Sequence, residues 1–331
     1  MKPAQGLLVS IGLIALGSCG GSAAKSGFGS DAEGGLDDAG SFGGDGAFVG
    51  GEGGLPTTGG ATLFYAHTDK TLYTIDPLNV GAAPKRIGDF DCIDAASGSM
   101  TDIAVAKDGS LFGVSSSAAY SLEVQGASVH CVATWPLPTK ANFYGLTVAP
   151  ENTVAVAEVL VAANDAGQMF QIDPGSGNTT PLGNFGKDTA SGQPWALSGD
   201  IVFLANSGAP VGFATVRTCG SGGTTCTPND TLIEIDVKAV RAGNTQSTLK
   251  AVRGPVKKGA WCTNGASPAT FGSMFGIAAY QDKVYGFSRK GDIVEIHSDD
   301  GSGCLIAADP SLKFAGAGVT TIAPVQAPPP K

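Results

Sequence analysis

The sequence is poor in charged residues, which make up only 15% of its 331 positions. Acidic residues outnumber basic ones by 29 to 20, so the chain lacks the basic footprint that nucleic-acid binding requires. An apolar run near the start, residues 7–16, covers about half of the roughly 20 residues that a membrane-spanning helix needs. These shortages argue against a nucleic-acid partner and against a spanning helix in that run.

Several motifs of enzymes and metal sites are also missing. The sequence has no Gly-x-Ser-x-Gly, no His-Glu-x-x-His, no phosphate loop and no nucleotide-binding fingerprint. It has three histidines and no Cys-x-x-Cys, which argues against a metal centre. Asp89, Asp91 and Asp94 form an acidic cluster in which calcium is an alternative, although their spacing does not match an EF-hand loop. We otherwise expect no cofactor.

The first 19 residues have the order of an export signal. Lys2 supplies a positive charge, the apolar run 7–16 follows, and Leu16-Gly17-Ser18-Cys19 ends it with small residues. This ending resembles the lipobox of bacterial lipoproteins. The resemblance implies cleavage after a signal peptide of residues 1–18, lipid on Cys19, and anchoring in the bacterial cell envelope, at the outer membrane. A signal peptide without lipidation, with an unrelated cysteine, is the alternative.

Glycine is concentrated in the segment that follows. Residues 19–60 consist mainly of Gly, Ser, Ala and Asp, a composition that buries too little apolar surface to fold. We therefore expect a disordered tether of ~40 residues with a reach of roughly 35 Å. The folded domain is expected over 61–324, with a disordered Pro-rich tail at 325–331.

A short segment recurs five times and predicts strands. Each copy alternates apolar residues and ends at an acidic or polar residue before a turn. The copies are Leu72–Asp76, Tyr120–Glu123, Met169–Asp173, Leu232–Asp236 and Ile293–His297.

Two further strands are expected ahead of four of these copies, as hairpins. The predicted hairpins are 101–106 with 111–115, 144–149 with 153–156, 195–197 with 201–204, and 275–280 with 284–287. With one outer strand after each copy, the sequence predicts an all-β, five-bladed β-propeller of four-stranded antiparallel blades. The first unit lacks its innermost strand, and residues 317–323 at the C-terminal end are predicted to complete it. A sixth blade is the alternative, if the long insertion 205–230 hides a degenerate unit.

Six cysteines remain besides Cys19, an even number that indicates disulfides in an exported chain. Cys219 and Cys226 flank a Gly-rich loop and can meet locally. The other four occupy matching positions in the repeat, one before an innermost strand and one in the outer strand that follows. We therefore expect Cys92 to pair with Cys131 and Cys262 with Cys304.

The longer loops are expected on one face, together with a group of aromatic residues that includes all three tryptophans. Long loops on a rigid scaffold are where binding residues concentrate. Rings there could stack on a sugar or an extended peptide, with polar partners near the axis. The candidate ligand-binding residues are Asp102, Asn142, Phe143, Tyr144, Gln193, Trp195, Trp261 and Phe275. The alternative is that these rings cap the blades and pack beneath the loops.

Catalysis is the weaker expectation. A glycoside hydrolase needs two suitably separated carboxyl groups, and Asp102 and Glu158 are the best-placed pair, with Asp165 a further candidate. For each of these residues, a strand-end cap or a solvated loop acid is the favoured interpretation. The leading hypothesis is a non-catalytic, lipid-anchored module that binds an extracellular glycan or envelope protein. A polysaccharide-acting enzyme and a structural subunit of an envelope complex are the alternatives.

Overall fold

The computed structural model describes residues 62–93, 98–138, 142–205, 209–219 and 225–325. The predicted signal peptide, Cys19, the predicted tether and residues 326–331 of the predicted tail lie outside the described residues. The described part contains strands, turns and loops and no α-helix, so the all-β prediction is confirmed. Accordingly, none of it forms a helix with the length and apolarity needed to cross a membrane.

The strands form four sheets. The first contains β1 (Phe64–His67), β2 (Thr71–Ile75), β3 (Lys85–Phe90), β4 (Met100–Val105), β5 (Leu111–Ser115), β6 (Ala118–Gln125), β7 (Ser128–Pro136) and β22 (Gly316–Gly318). The second contains β8 (Phe143–Ala149), β9 (Val159–Asn164), β10 (Gln168–Ile172), β11 (Thr179–Asn184) and β15 (Asn244–Ser247). The third contains β12 (Trp195–Leu204), β13 (Val211–Thr218), β14 (Thr231–Ile235) and β16 (Leu249–Pro255). The fourth contains β17 (Lys257–Lys258), β18 (Met274–Tyr280), β19 (Lys283–Ser288), β20 (Asp292–His297) and β21 (Ser302–Ala308).

Antiparallel pairing runs through groups of four strands within these sheets. The groups are β22-β1-β2-β3, β4-β5-β6-β7, β8-β9-β10-β11, β12-β13-β14-β16 and β18-β19-β20-β21. The first two groups join through a short parallel pairing of β3 with β7. All five repeated segments lie in the third strand of a group, where the sequence predicts a strand.

The C-terminal strand returns to the start of the fold. β22 pairs antiparallel with β1, with Ala66 opposite Ala317. The first strands of the groups then contact one another in cyclic order: β4 with β8, β8 with β12, β12 with β18, β18 with β22, and β22 with β4. These five strands therefore surround a common centre.

Apolar side chains fill the space between neighbouring sheets. Where the first sheet meets the fourth, Phe287 makes edge-to-face contacts with Phe64 and Phe314, at ring-centre distances of 6.3 and 5.6 Å. All three rings are fully buried. Such pairs add about 0.5–1.5 kcal/mol each beyond the area they bury, so this contact stabilises the junction where the chain closes on itself.

The structure corrects two of the predicted hairpins and one loop. Residues 153–156 are a turn with Val156 84% exposed, and β8 pairs with the buried run Val159–Asn164 instead. Residues 195–204 form one strand, because the expected turn at 198–200 is a bulge at which the register with β13 shifts. The expected insertion 205–230 contains β13, the second strand of its own sheet, so its described residues hold no extra unit.

The six cysteines within the described residues form three pairs, and these are the three pairs predicted from the sequence. Cys92 pairs with Cys131, Cys219 with Cys226, and Cys262 with Cys304, with Cα–Cα distances of 5.7, 3.9 and 5.2 Å. The first and last pairs each join a residue ahead of the first strand of a group, β4 or β18, to the last strand of that group, β7 or β21. They therefore fasten long loops to the outer edges of their sheets.

Candidate functional site

A cavity of about 630 Å³ opens where β8, β12 and β18 begin. Four of the predicted ligand-binding residues line it: Tyr144, Gln193, Trp195 and Phe275. Tyr144 and Phe275 are the second residues of β8 and β18, and Trp195 is the first residue of β12. The remaining lining comes from Pro194 and the following residues 196–198 of β12, from the loop after β9, and from the end of β13 with the Cys219–Cys226 pair. We call this space the aromatic cavity.

The three rings of the aromatic cavity differ in exposure. Tyr144 is 37% exposed, Phe275 is half-buried and Trp195 is only 6% exposed. The guanidinium carbon of Arg289 lies 5.4 Å from the centre of the Phe275 ring, a distance at which a cation attracts the ring face. The cavity thus has one ring open to solvent at its mouth and one buried in its wall.

Polar groups complete the wall. Asp165 is exposed and accepts a 3.3 Å hydrogen bond from the side-chain amide of Asn142. The backbone of Asn142 has a positive φ of 43°, a conformation that asparagine tolerates. Arg217 lines the cavity from β13, beside Ala196 of β12. The Nε atom of Arg217 and the Nε1 atom of Trp195 are buried and have no hydrogen-bond partner in the described part of the chain.

Arg217 and the Cys219–Cys226 pair are parts of the cavity wall that the sequence analysis missed. Arg217 stands near the end of β13, inside the segment expected to be a loop. Once that segment is recognised as a strand paired with β12, an arginine two residues before a disulfide cysteine at the strand's end is a signal that the sequence contains.

Two aspartates occupy the centre that the five first strands surround. Asp102 of β4 accepts hydrogen bonds from the backbone N–H groups of Ile103 and of Leu146 in β8. Asp200 of β12 accepts them from Ile201 and from Ile277 in β18, the latter at 2.8 Å. Each carboxyl therefore connects its own strand to the next one around the centre, and both are fully buried.

Small residues make room for these carboxyls. A Cβ on Gly145 of β8 would lie 3.3 Å from the Cα of Asp200. A Cβ on Gly316 of β22 would overlap both Asp102 Oδ1 and His67 Nε2. Glycine is required at position 316 because the side chains of Asp102 and His67 fill the space, whereas a Cβ at position 145 would be tight against the backbone of Asp200.

The carboxyls of Asp102 and Asp200 each influence the pKa of the other. Burial, followed by the charge of Asp200, raises the pKa of Asp102 well above its ordinary value. Burial also raises the pKa of Asp200 to about 7. His67 lies 3.9 Å from Asp102, and burial lowers its pKa to about 4, so its ring is neutral at pH 7. The centre of the fold is therefore a largely uncharged polar cluster.

Comparisons with known proteins give no family. Neither protein-family profiles nor curated proteins match the chain. A solved protein of unknown function from Bacteroides caccae is similar over 78% of this chain and 98% of its own, with 11% identity and a TM-score of 0.42. A symmetrical protein described for its de novo evolutionary emergence is similar over 80% of this chain and 100% of its own, with 12% identity and a TM-score of 0.38. The solved structure of BBS1N in complex with ARL6DN is similar over 69% of this chain and 55% of its own, with 10% identity and a TM-score of 0.33. These likenesses are too weak to identify the fold or the function.

Other predicted ligand-binding residues lie away from the aromatic cavity. Phe143 is 1% exposed and packs edge-to-face on Phe170 at 5.6 Å, because it points to the opposite side of β8 from Tyr144. Trp261 stacks on His297, at 4.0 Å between ring centres, and donates a hydrogen bond to Ser302. Both rings pack on the protein itself, as the alternative interpretation expects for single rings.

The two carboxyls considered for catalysis are those of Asp102 and Glu158. Neither residue lines the aromatic cavity. Glu158 precedes β9 and accepts hydrogen bonds from the backbone of Lys107, in the turn after β4, and from the hydroxyl of Thr321. Asp102 is enclosed at the centre and bonded to backbone. Both serve as hydrogen-bond acceptors that join strand ends and turns.

The acidic cluster considered for calcium is engaged with protein donors. Asp89 accepts a hydrogen bond from Thr71 and pairs with Arg86 at 2.9 Å. Asp91 pairs with His130 and accepts a 3.0 Å hydrogen bond from the backbone of Cys131. Asp94 lies outside the described residues. The carboxylates of Asp89 and Asp91 thus already have protein partners.

Proposed function

We propose that the chain is a binding protein of the bacterial cell envelope and that its aromatic cavity receives a segment of an extracellular glycan. The observation that carries the proposal is the lining of that cavity by Tyr144, Trp195 and Phe275. Sugars present apolar faces and hydroxyl rims, so an aromatic wall with a few polar groups suits them. An envelope protein that inserts an extended loop is the alternative occupant.

For the architecture, we propose the five-bladed β-propeller that the repeat predicts. The five antiparallel groups of four strands, the cyclic contacts of their first strands and the pairing of β22 with β1 support it. In this arrangement the aromatic cavity lies on the face where three of the innermost strands begin. A closed ring also leaves no first strand with an unpaired, exposed edge.

A non-catalytic role fits the described carboxyls better than glycoside hydrolysis does. Hydrolysis needs two carboxyls on either side of the scissile bond. Asp102 has no access to the aromatic cavity, and Glu158 is bonded to Lys107 and Thr321. Among the described residues, Asp165 is the one carboxylate in the cavity wall, and none of them supplies a second carboxylate at hydrolytic spacing there.

Substitution of residues of the aromatic cavity is expected to weaken glycan binding. We predict that Tyr144→Ala and Trp195→Ala each lower the affinity for the tightest-binding oligosaccharide about tenfold or more, since stacking on a desolvated ring carries much of such binding. The oligosaccharide is first identified with the full chain in detergent on a glycan array, and affinities are then measured by titration calorimetry.

Trp261→Ala is the matched control, because it removes an equally large ring outside the cavity. Its affinity is expected to stay within about twofold of the wild type, as a residue remote from the contact should behave. Because Tyr144 is exposed, its loss should leave the melting temperature unchanged. Unaltered binding by both Tyr144→Ala and Trp195→Ala would assign the ligand to another surface.

We also propose that Cys19 is the lipid anchor, which the lipobox resemblance supports. Cys19→Ser is expected to abolish labelling by an alkyne analogue of palmitate and to move the protein from the membrane fraction to the soluble fraction. Ser18→Ala is the control, because it keeps a small residue before the cut and should be labelled normally. Membrane anchoring through acyl chains comes from burying their methylene groups, each worth about 0.8 kcal/mol. Persistent labelling of Cys19→Ser would overturn the assignment.

A further inference from the structure

A second cavity, of about 390 Å³, lies where the first sheet meets the fourth. One wall is formed by residues 77–81, in the connection between β2 and β3. The other wall comes from the fourth sheet and includes Tyr280 at the end of β18, Tyr285 of β19 and Ile306 of β21. None of these residues lines the aromatic cavity. We call this second space the tyrosine groove.

The strand register places both tyrosines on the same side of the fourth sheet. Ala278 of β18 is opposite Tyr285 of β19, so these two side chains share a face. Tyr280 is two residues after Ala278 and therefore lies on that face as well. Both tyrosine rings pack on the buried ring of Phe64 in β1, at ring-centre distances of 6.2 and 5.1 Å. The ring wall of the groove is thus held in place by the apolar core.

The wall formed by residues 77–81 offers apolar surface to solvent. Leu78 is 79% exposed, and of the described large apolar residues only Val156 is more exposed. An apolar side chain gains free energy when a neighbour removes it from water. The two charged residues of the groove, Lys283 and Glu295, pair with each other at 2.8 Å. An apolar segment rich in uncharged residues therefore suits the groove.

The chain itself leads such a segment to the groove. The backbone N–H of Gln281, a residue of the groove, donates a hydrogen bond to the carbonyl of Pro324. Val325 is half-buried and packs against the apolar cluster that contains Tyr285. The next six residues, 326–331, have the sequence Gln-Ala-Pro-Pro-Pro-Lys. At about 3.1 Å per residue, an extended proline-rich segment of this length reaches roughly 19 Å from its starting point.

We propose that residues 326–331 dock in the tyrosine groove of their own chain, with the three prolines against Tyr280 and Leu78. Grooves lined by aromatic rings receive proline-rich segments because these segments lose little conformational entropy on binding. A polyproline helix has no internal hydrogen bonds, so its carbonyl groups can accept hydrogen bonds from the tyrosine hydroxyls. Docking there fastens the fourth sheet to the first, at the junction where the chain closes on itself.

The test combines removal of the segment with a change in the groove. Thermal unfolding is measured for the full chain in detergent and for a chain ending at Val325, each with and without Leu78→Ser. We expect the full chain to melt about 2 °C or more above the shortened chain. Leu78→Ser should lower the melting temperature of the full chain by a similar amount and leave that of the shortened chain unchanged, because Leu78 is then exposed before and after the substitution.

Two controls separate docking from general effects. Val156→Ser removes an equally exposed apolar side chain that does not line the groove, so its effect should be the same in both chains. A full-length chain with Pro328, Pro329 and Pro330 all changed to serine keeps the length and the terminal lysine. It should melt with the shortened chain, because the stiffness and the apolar rings of the prolines are lost.

Hydrogen exchange locates the contact without a groove substitution. Exchange at residues 78–81 and 281–285 should be slower in the full chain than in the chain ending at Val325. Equal exchange there, or an equal effect of Leu78→Ser in both chains, would overturn the proposal. A difference between the two chains that disappears on dilution would assign the groove to the segment of a second copy, and docking within one chain would then be wrong.

Discussion

Replacing Asp102 with alanine is expected to lower the free energy of unfolding by about 3–5 kcal/mol. The carboxyl accepts hydrogen bonds from two backbone N–H groups, those of Ile103 and Leu146, and both are left without an acceptor in the buried centre. Each orphaned buried donor costs about 1–3 kcal/mol, and the space vacated by the side chain adds to the loss. Urea unfolding followed by tryptophan fluorescence measures the change.

Asp200→Ala should cause a loss of similar size, because its carboxyl has the equivalent bonds to Ile201 and Ile277. Asp108→Ala is the matched control. Its carboxylate also accepts a backbone hydrogen bond, from Ser110, but it lies in an exposed turn where water can replace it. That variant should lose less than about 1 kcal/mol, as surface substitutions usually do. Equal effects at positions 102 and 108 would contradict a structural role for the central carboxyls.

Removing the Cys262–Cys304 disulfide by changing both cysteines to serine is expected to cost about 4 kcal/mol of stability. The bond closes a loop with a sequence separation of 42, and the chain entropy lost by the unfolded state grows with loop length. Cys219–Cys226, with a separation of 7, should contribute only about 2 kcal/mol on the same account. Thermal and urea unfolding of the two double variants give the comparison.

Peptide mapping without reduction checks the pairing itself. Proteolytic fragments should show Cys92 joined to Cys131 and Cys262 joined to Cys304. Recovery of Cys92 joined to Cys304 would contradict the pairing, and so would a larger loss of stability from removing Cys219–Cys226 than from removing Cys262–Cys304.

The strands of the repeat could be predicted because alternation and turn residues act locally. Met169–Asp173 and Leu232–Asp236 alternate apolar and polar residues before a turn, and both contain strands in the structure. The predicted strand boundaries are wrong where tertiary contacts override the local preference for a turn. Ser198-Gly199-Asp200 has the composition of a turn, yet it continues a strand because the Asp200 carboxyl bonds to the backbone of Ile201 and of β18.

Four of the eight predicted ligand-binding residues line the aromatic cavity, and the other four could not be separated from them by local sequence alone. Phe143 and Tyr144 are neighbours on one strand, and only the register with adjacent strands decides which ring reaches the cavity. Asp102 and Asp200 each precede an isoleucine on a first strand, a repeated Asp-Ile pair that the sequence does contain. Its meaning depends on the neighbouring strand, whose Leu146 or Ile277 N–H group needs the carboxyl.

Hydrogen exchange with and without the bound oligosaccharide tests the central claim most directly. We propose that the ligand binds in the aromatic cavity, where β8, β12 and β18 begin. Binding there should slow exchange at residues 142–146, 193–198 and 273–277, with little change in the turn at 106–110 after β4. Protection confined to the turn at 106–110 or to the outer strands, with none around Tyr144 and Trp195, would contradict it.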